Sequence, residues 1–340
     1  MTGYLLAAAA LTLTLATFWP RSGLWARWRE GQRLAARVRQ EDALKHILKS
    51  EVNHTPPTID SLAGALGIRR GDVADLLLDM EQHGLVSYGE GRLQLTPNGH
   101  ELALHIIRAH RLWESYLAEQ TGVAETHWHE LAERQEHLLS PQATEALAAR
   151  LGHPTRDPHG DAIPLPGGDL AADLGQSLTA VPPNAPVLIA HIEDEPRAIF
   201  AQLSAQGLRP GMKACVIEKS PQGLRFWADG REHTLAPTLA NNISVVPLPE
   251  VHTRDLFEEE FLPGLKVGQT AQVLGLSPAC RGTERRRLLD LGFVAGTKVE
   301  VEMVSPGGDP TAYRVRGTLI ALRREQAGLI RIATSQEVTA

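Results

Sequence analysis

Apolar positions recur at helical spacing through the first half of the chain and alternate through much of the second. Residues 27–50 begin basic and become amphipathic through Leu44, Ile47 and Leu48, which predicts one helix, broken at 53–57. A short helix follows over 58–65, with Thr58 in the N-cap position and Ile59, Leu62, Ala63 and Leu66 turned inward. Gly67 ends it, and a second helix runs over 70–84. Leu85 to Tyr88, a Gly-Glu-Gly turn and Arg92 to Leu95 then read as a β-hairpin. Two helices, a glycine turn and a hairpin in this order make a winged helix-turn-helix. Thr96-Pro97-Asn98-Gly99 opens a long helix to about residue 120, with proline at its first position. Further helices are predicted over 125–139 and, from Ser140-Pro141, to residue 151; residues 152–168, rich in Pro and Gly, read as a linker.

Beyond that linker the period becomes two. Segments 187–190, 214–217 and 243–246 are expected as strands of one small barrel, and 270–274, 298–304 and 312–315 as strands of a second. Residues 203–211 parallel 288–296: a short helix ends at a glycine, and a turn glycine precedes a strand. Two copies of one five-stranded barrel are therefore expected.

The N-terminus differs in character. Residues 3–19 carry no charge and reach the lower length limit for spanning a bilayer as a helix. The basic residues follow (Arg21, Arg27, Arg29, Arg33, Arg37 and Arg39), the reverse of a secretory signal, and the positive-inside rule then places the body in the cytoplasm. The expectation is a transmembrane anchor over 1–20 and a basic juxtamembrane helix over 21–40, in the cytoplasmic membrane of a bacterium.

A net charge of -6 does not advertise nucleic acid, and two cysteines, Cys215 and Cys280, point to a reducing compartment without a disulfide framework or thiolate site. The 14 histidines change the picture, because several cluster between His100 and His137. On a helix, Glu133 lies one turn after His129 and one turn before both Glu136 and His137, so the four share a face. His110 and Glu114 form a second such pair on the preceding helix, and antiparallel packing would join the two sets. Imidazoles and carboxylates without a thiolate suit Mn(II), Fe(II) or Zn(II), and the carboxylates lean toward the harder ions. The competing interpretation is a solvated helix face laced with salt bridges. No nucleophile–base pair or phosphate loop appears, so an enzyme is not expected.

Residues 41–164 resemble the diphtheria-toxin-repressor (DtxR/MntR) family of metal-dependent transcriptional regulators. The resemblance rests on Gly84-Leu85-Val86, Leu95-Thr96-Pro97-Asn98-Gly99, His110-Arg111-Leu112, Glu136-His137-Leu138-Leu139-Ser140, Gly152-His153-Pro154 and the run from Pro158 to Pro164. It implies a principal metal site of Asp42, Glu133, Glu136 and His137 and a second of His110, Glu114 and His129, with His110 joining the principal set in manganese-type members. Glu133 stands where iron-type members carry cysteine and Asp42 where they carry methionine, which implies the manganese branch. That branch has a carboxylate three residues after Asp42, where this chain has Lys45. Residues 262–334 resemble a FeoA domain, an SH3-like barrel that accompanies ferrous-iron transporters, through 287–293, Gly296-Thr297, Gly308-Asp309-Pro310, Arg316-Gly317 and Ala321-Leu322-Arg323. Residues 170–248 resemble it more weakly.

The fold class expected overall is α+β and multidomain. It comprises a transmembrane helix, a winged helix-turn-helix (41–99), a helical metal-binding and dimerisation domain (100–164), and SH3-like β-barrels over 165–250 and 262–335.

Arg69, Arg70 and Arg92 are the candidate DNA contacts, yet Asp72, Asp75 and Asp79 lie on the outward face of the same helix. Residues 41–100 hold five Lys/Arg against nine Asp/Glu. Two functions stay open. One is a membrane-tethered, Mn/Fe-dependent regulator binding a DNA operator as a homodimer. The other is a membrane-anchored accessory whose FeoA-like domain contacts a ferrous-iron transporter, with DNA binding lost.

Overall fold

A computed structural model describes residues 24–89, 92–171, 175–248 and 260–334. The chain divides into two compact units, one of residues 1–108 and 164–171, the other of 109–163 and 172–340.

In the first unit, α1 (Leu24–Val52), α2 (Ile59–Leu66) and α3 (Arg70–Gln82) precede a hairpin of β1 (Val86–Gly89) and β2 (Arg92–Leu95). Thr58 caps α2: its hydroxyl accepts from the Ser61 N–H at 3.0 Å, while the Ser61 hydroxyl accepts from the Thr58 N–H at 3.0 Å. Leu44, Ile47 and Leu48 of α1 meet Leu62, Val73, Leu77 and Met80 in one apolar cluster with Val86 and Leu93 of the hairpin. The next helix, α4 (Pro97–Gln120), starts hard against the hairpin. A Cβ on Gly99 would lie 1.9 Å from the Leu85 carbonyl oxygen, so only glycine allows that approach.

The second unit takes α4 from Ala109 onward, then a 3-10 turn (Glu125–His127), α5 (Trp128–Glu136) and α6 (Pro141–Arg150). The helix expected over 125–139 is thus shorter at both ends. Ser140 must be extended (φ -72°, ψ 159°) to cap α6 by accepting from the Ala143 N–H, and a residue before proline avoids the helical region. The chain accordingly leaves the helix at His137. Residues 152–163 are not the free linker that their composition suggests, since Asp157 and His159 are buried. Arg156 bridges to Ala162, and the Ile192 N–H donates to the His159 carbonyl at 2.9 Å.

Two antiparallel sheets follow with the same topology. The first contains β3 (Gln176–Ser177), β4 (Pro186–Ile192), β5 (Lys213–Ser220), β6 (Gly223–Ala228), β7 (Arg231–Leu235) and β8 (Ile243–Pro247), with α7 (Arg197–Ala205) and α8 (Pro237–Ala240) inserted. The second contains β9 (Glu260–Phe261), β10 (Thr270–Leu276), β11 (Lys298–Val304), β12 (Thr311–Val315), β13 (Thr318–Leu322) and β14 (Ile330–Thr334), with α9 (Gly282–Asp290) and α10 (Arg324–Ala327). Their orders, β3-β8-β4-β5-β6-β7 and β9-β14-β10-β11-β12-β13, correspond strand for strand. The bulges correspond too, at Ile189/His191 and Val273/Gly275, and at Val216/Glu218 and Val301/Met303. Each copy has six strands rather than five because a two-residue entry strand is added. The β6–β7 and β12–β13 hairpins turn at Asp229-Gly230 and Arg316-Gly317, all four at positive φ.

The expected membrane anchor and membrane localisation are corrected. Among the described residues no helix is long and apolar enough to cross a membrane. Residues 1–23, which carried most of that expectation, lie outside the described residues. The 3–19 run is at the minimum span length and is rich in alanine and threonine, which contribute little transfer energy.

Candidate metal centre

Helical spacing brings His110 and Glu114 to one side of α4, and both are buried. From α5 come His129, Glu133 and Glu136, with His137 at its C-cap. His110 faces a carboxylate at each ring nitrogen: Nδ1 is 2.5 Å from Glu136 Oε2, and Nε2 is 3.2 Å from Glu114 Oε1. A neutral imidazole donates from only one nitrogen, so this arrangement calls for positive charge in the pocket, as a proton or as a metal.

Glu114, 1% exposed, is the centre of the set. Its Oε1 also lies 3.5 Å from His129 Nδ1 and 3.7 Å from His159 Nε2. His129 Nδ1 is 2.8 Å from Asp194 Oδ2, and its Nε2 is 3.5 Å from Glu133 Oε1 and from Glu195 Oε1. Yet neither His129 Nδ1 nor His159 Nε2, both buried, makes a hydrogen bond of acceptable geometry. Both ring nitrogens thus stand close to carboxylates, His129 Nδ1 to Asp194 and His159 Nε2 to Glu114, with their hydrogen-bonding capacity unused. Two overlapping donor sets result, His110–Glu114–His129 and Glu114–His159–Asp194, each with its ligand atoms within 4.8 Å of one another. Glu136 and His137 stand beside them, with Oε1 and Nε2 3.5 Å apart.

The electrostatics follow from this crowding. Burial alone would raise the Glu114 carboxyl, but the His110 and His159 charges, the hydrogen bond with His110 and the nearby His129 imidazole hold it far below the ordinary carboxylate range. Burial would lower the His129 imidazole, but Asp194, Glu114, Glu133 and Glu195 raise it far above its usual value. Asp194 is held low against its own burial by His129 and His159. Asp157, buried beside Asp161 and Glu114, is pushed up by desolvation and then by those two charges.

Of the residues expected from sequence, His110, Glu114, His129, Glu133, Glu136 and His137 come together in the second unit. Asp42 stands half-buried on α1 in the first unit, and its place in the set remains what the resemblance implies. His159, Asp194 and Glu195 were not foreseen. The signals were the acidic run Glu193-Asp194-Glu195 closing an apolar strand, and a histidine inside Pro158-His159-Gly160. The candidate DNA contacts fare differently. Arg69 is spent on a two-point hydrogen bond to Asp72, 3.0 Å at each point, and Arg70 pairs with Asp60. Arg92 is exposed on β2.

Residues 96–165 match the family model described as iron dependent repressor, metal binding and dimerisation domain, and residues 262–334 match the FeoA domain. The iron-dependent repressor IdeR of Mycobacterium leprae is 32% identical over 196 residues, spanning 53% of this chain and 84% of the relative. The chain belongs to the iron-dependent repressor family. Membership makes it a metal-dependent transcriptional regulator rather than an enzyme. A manganese-dependent transcriptional repressor in complex with manganese superposes with a TM-score of 0.55 at 26% identity, covering 61% of this chain and 99% of that one. The manganese-activated repressor ScaR with bound zinc gives 0.52 at 25% identity, covering 62% and 99%. A probable metal transport system membrane protein of Chlamydia trachomatis is 42% identical over 81 residues, which is 24% of this chain and 18% of that protein.

Proposed function

We propose that this chain represses transcription in response to Mn(II) or Fe(II), held in two adjoining sets, one drawn from His110, Glu114, His129, His159 and Asp194 and the other from Glu133, Glu136 and His137. The observation that carries this reading is the pair of buried imidazole nitrogens, on His129 and His159, that point at Glu114 and Asp194 without hydrogen-bonding to them. Nitrogen and carboxylate donors without sulfur fit Mn(II) and Fe(II), and Zn(II) fits as well. The resemblance puts Asp42 with Glu133, Glu136 and His137.

The bound cation supplies the positive charge that these carboxylates demand. The chain supplies the rest. Glu114 links His110 on α4 to His129 on α5 and to His159 in the 156–163 loop, while Asp194 and Glu195 bring in the first barrel. Filling the site fixes these elements together. A filled site favours one state of the chain over others, and that differential is what a metal must provide to act as corepressor. Dimerisation runs through the helical domain over 96–165, and DNA is read by the winged domain.

The test is calorimetry with Mn(II) and Fe(II) on the full chain and on Glu136→Ala/His137→Ala. The double variant is expected to lose tight binding, and unchanged affinity would remove those residues from the site. Metal-dependent binding of the wild-type chain to a duplex carrying its own promoter tests the repressor reading. A second reading, an accessory to a metal transporter engaged through the FeoA barrel, draws on the FeoA match and the Chlamydia trachomatis relative. Loaded metal with no DNA affinity at low salt would favour it.

A further inference from the structure

The helix α1 is 29 residues long, but only its second half belongs to the core of the first unit. Ala43, Leu44, Ile47 and Leu48 are buried, whereas Arg33, Leu34, Arg37 and Arg39 are exposed. Residues 31–40 therefore extend the helix beyond the domain by about 15 Å, at 1.5 Å per residue. That extension carries Arg33, Arg37 and Arg39 and no acid, and the sequence ahead of it adds Arg27 and Arg29 against Glu30. Most of the chain's length is acidic on balance, so a helical arm of this sign is a localised feature with its own consequence.

The arm leaves the domain beside α3. The Gln40 side-chain amide donates to Asp79 on α3 at 2.6 Å. Arg39 lies near enough to Asp72 for its charge to help hold that carboxyl down, behind the stronger contribution of Arg69. On α3 itself the basic residues are already committed: Arg69 to Asp72 and Arg70 to Asp60. Exposed Asp72, Asp75 and Asp79 leave the outward face of α3 negative. A polyanion approaching this side is repelled by α3 and attracted by the segment that runs from Arg39 back to Arg33.

We propose that residues 31–40 of α1 are a DNA-backbone clamp that supplies the phosphate contacts which α3 does not. The inference rests on the repressor reading above. Duplex DNA carries one charge per roughly 1.7 Å of axis, so an arm of this length passes many phosphates, and arginines spaced along one helix neutralise several of them. Such contacts are indifferent to base sequence. They set affinity and salt dependence, while base reading stays with the winged domain.

The experiment uses the full chain loaded with Mn(II), its own promoter duplex and a random-sequence duplex of the same length, titrated from about 50 to 200 mM salt. Arg33→Gln/Arg39→Gln is chosen because both side chains are exposed, and because Arg37, which pairs with buried Glu41 at 2.6 Å, is left intact. The variant is expected to weaken binding to both duplexes on the order of tenfold or more and to lower the salt slope by roughly one per arginine per arm. Arg33→Lys/Arg39→Lys should restore the slope, since charge is what matters. An unchanged slope, with metal-dependent binding retained, overturns the clamp and leaves the repressor reading standing. Absence of DNA binding by the loaded wild-type chain overturns both. Loss of binding to phosphatidylglycerol vesicles by the Gln variant, with DNA binding unaltered, overturns the clamp in favour of an anionic lipid surface.

Discussion

Burying a carboxylate costs several kcal/mol unless positive charge accompanies it, and Glu114 has three imidazoles within 3.7 Å. Those imidazoles hold protons or surround a metal, and the two states compete. Replacing Glu114 by Gln keeps the shape and one acceptor oxygen but removes the shared charge. Metal affinity by calorimetry is expected to fall on the order of a hundredfold, and an unchanged Kd would exclude Glu114 as a ligand. The same crowding fixes a pH dependence. The His129 imidazole is raised above 6.5 by Asp194 and its other acidic neighbours, so it carries a proton at pH 7 and must lose it to bind metal. Affinity therefore rises with pH and weakens as pH falls. Titrations at pH 7 in buffers of different ionisation enthalpy should show at least one proton released per metal; a heat independent of buffer would remove His129 from the ligands. At this scale the sequence was informative about residues one helical turn apart, such as His110 and Glu114. It was silent about His159 and Asp194, which reach the site through folding of distant segments.

At the scale of elements, start and stop signals were legible where they are local. Thr58, Gly67 and Ser140-Pro141 stand at the boundaries they suggested, because a cap depends on three or four neighbouring residues. Asp229-Gly230 is a two-residue hairpin turn with both residues at positive φ, and it marks a strand pair that alternation alone did not reveal. Residues 152–163 misled for the opposite reason: a Pro- and Gly-rich composition describes a loop but not whether it is buried. The approach of α4 to the first hairpin gives a direct test. Gly99→Ala places a methyl against the Leu85 carbonyl, and it should lower the stability of the metal-free chain by roughly 1–3 kcal/mol in urea unfolding. A change within experimental error would mean that α4 shifts freely at its first turn.

At the scale of the molecule, both barrels of the second unit hold the loop that carries His159. Ile192 of the first bonds the His159 carbonyl at 2.9 Å, and Arg281 of the second donates from Nη1 to the Pro158 carbonyl at 3.0 Å. Burial pulls the Arg281 guanidinium below its usual range, a sign of how little water reaches it. Arg281→Met preserves much of the side-chain volume and removes these donors. It should weaken Mn(II) binding several-fold with the far-ultraviolet circular dichroism unchanged. Wild-type affinity would mean that the first barrel alone positions the loop. Weakened binding would give the FeoA barrel a part in metal sensing within its own chain.

What the sequence by itself determined is the set of properties carried by short separations: the helical face of His129, Glu133 and Glu136, the opening of α4 at Thr96-Pro97, the acidic outward face of α3, and the resemblance that placed the family. Periodicity and capping act over one or two turns, and such information survives in a linear string. Only the tertiary structure decided which carboxylates join the histidines, that Arg69 and Arg70 are neutralised by Asp72 and Asp60, and that the 156–163 loop is part of the site. Those outcomes depend on which distant surfaces are buried together, because burial is what makes a charge seek a partner, and no local spacing encodes that.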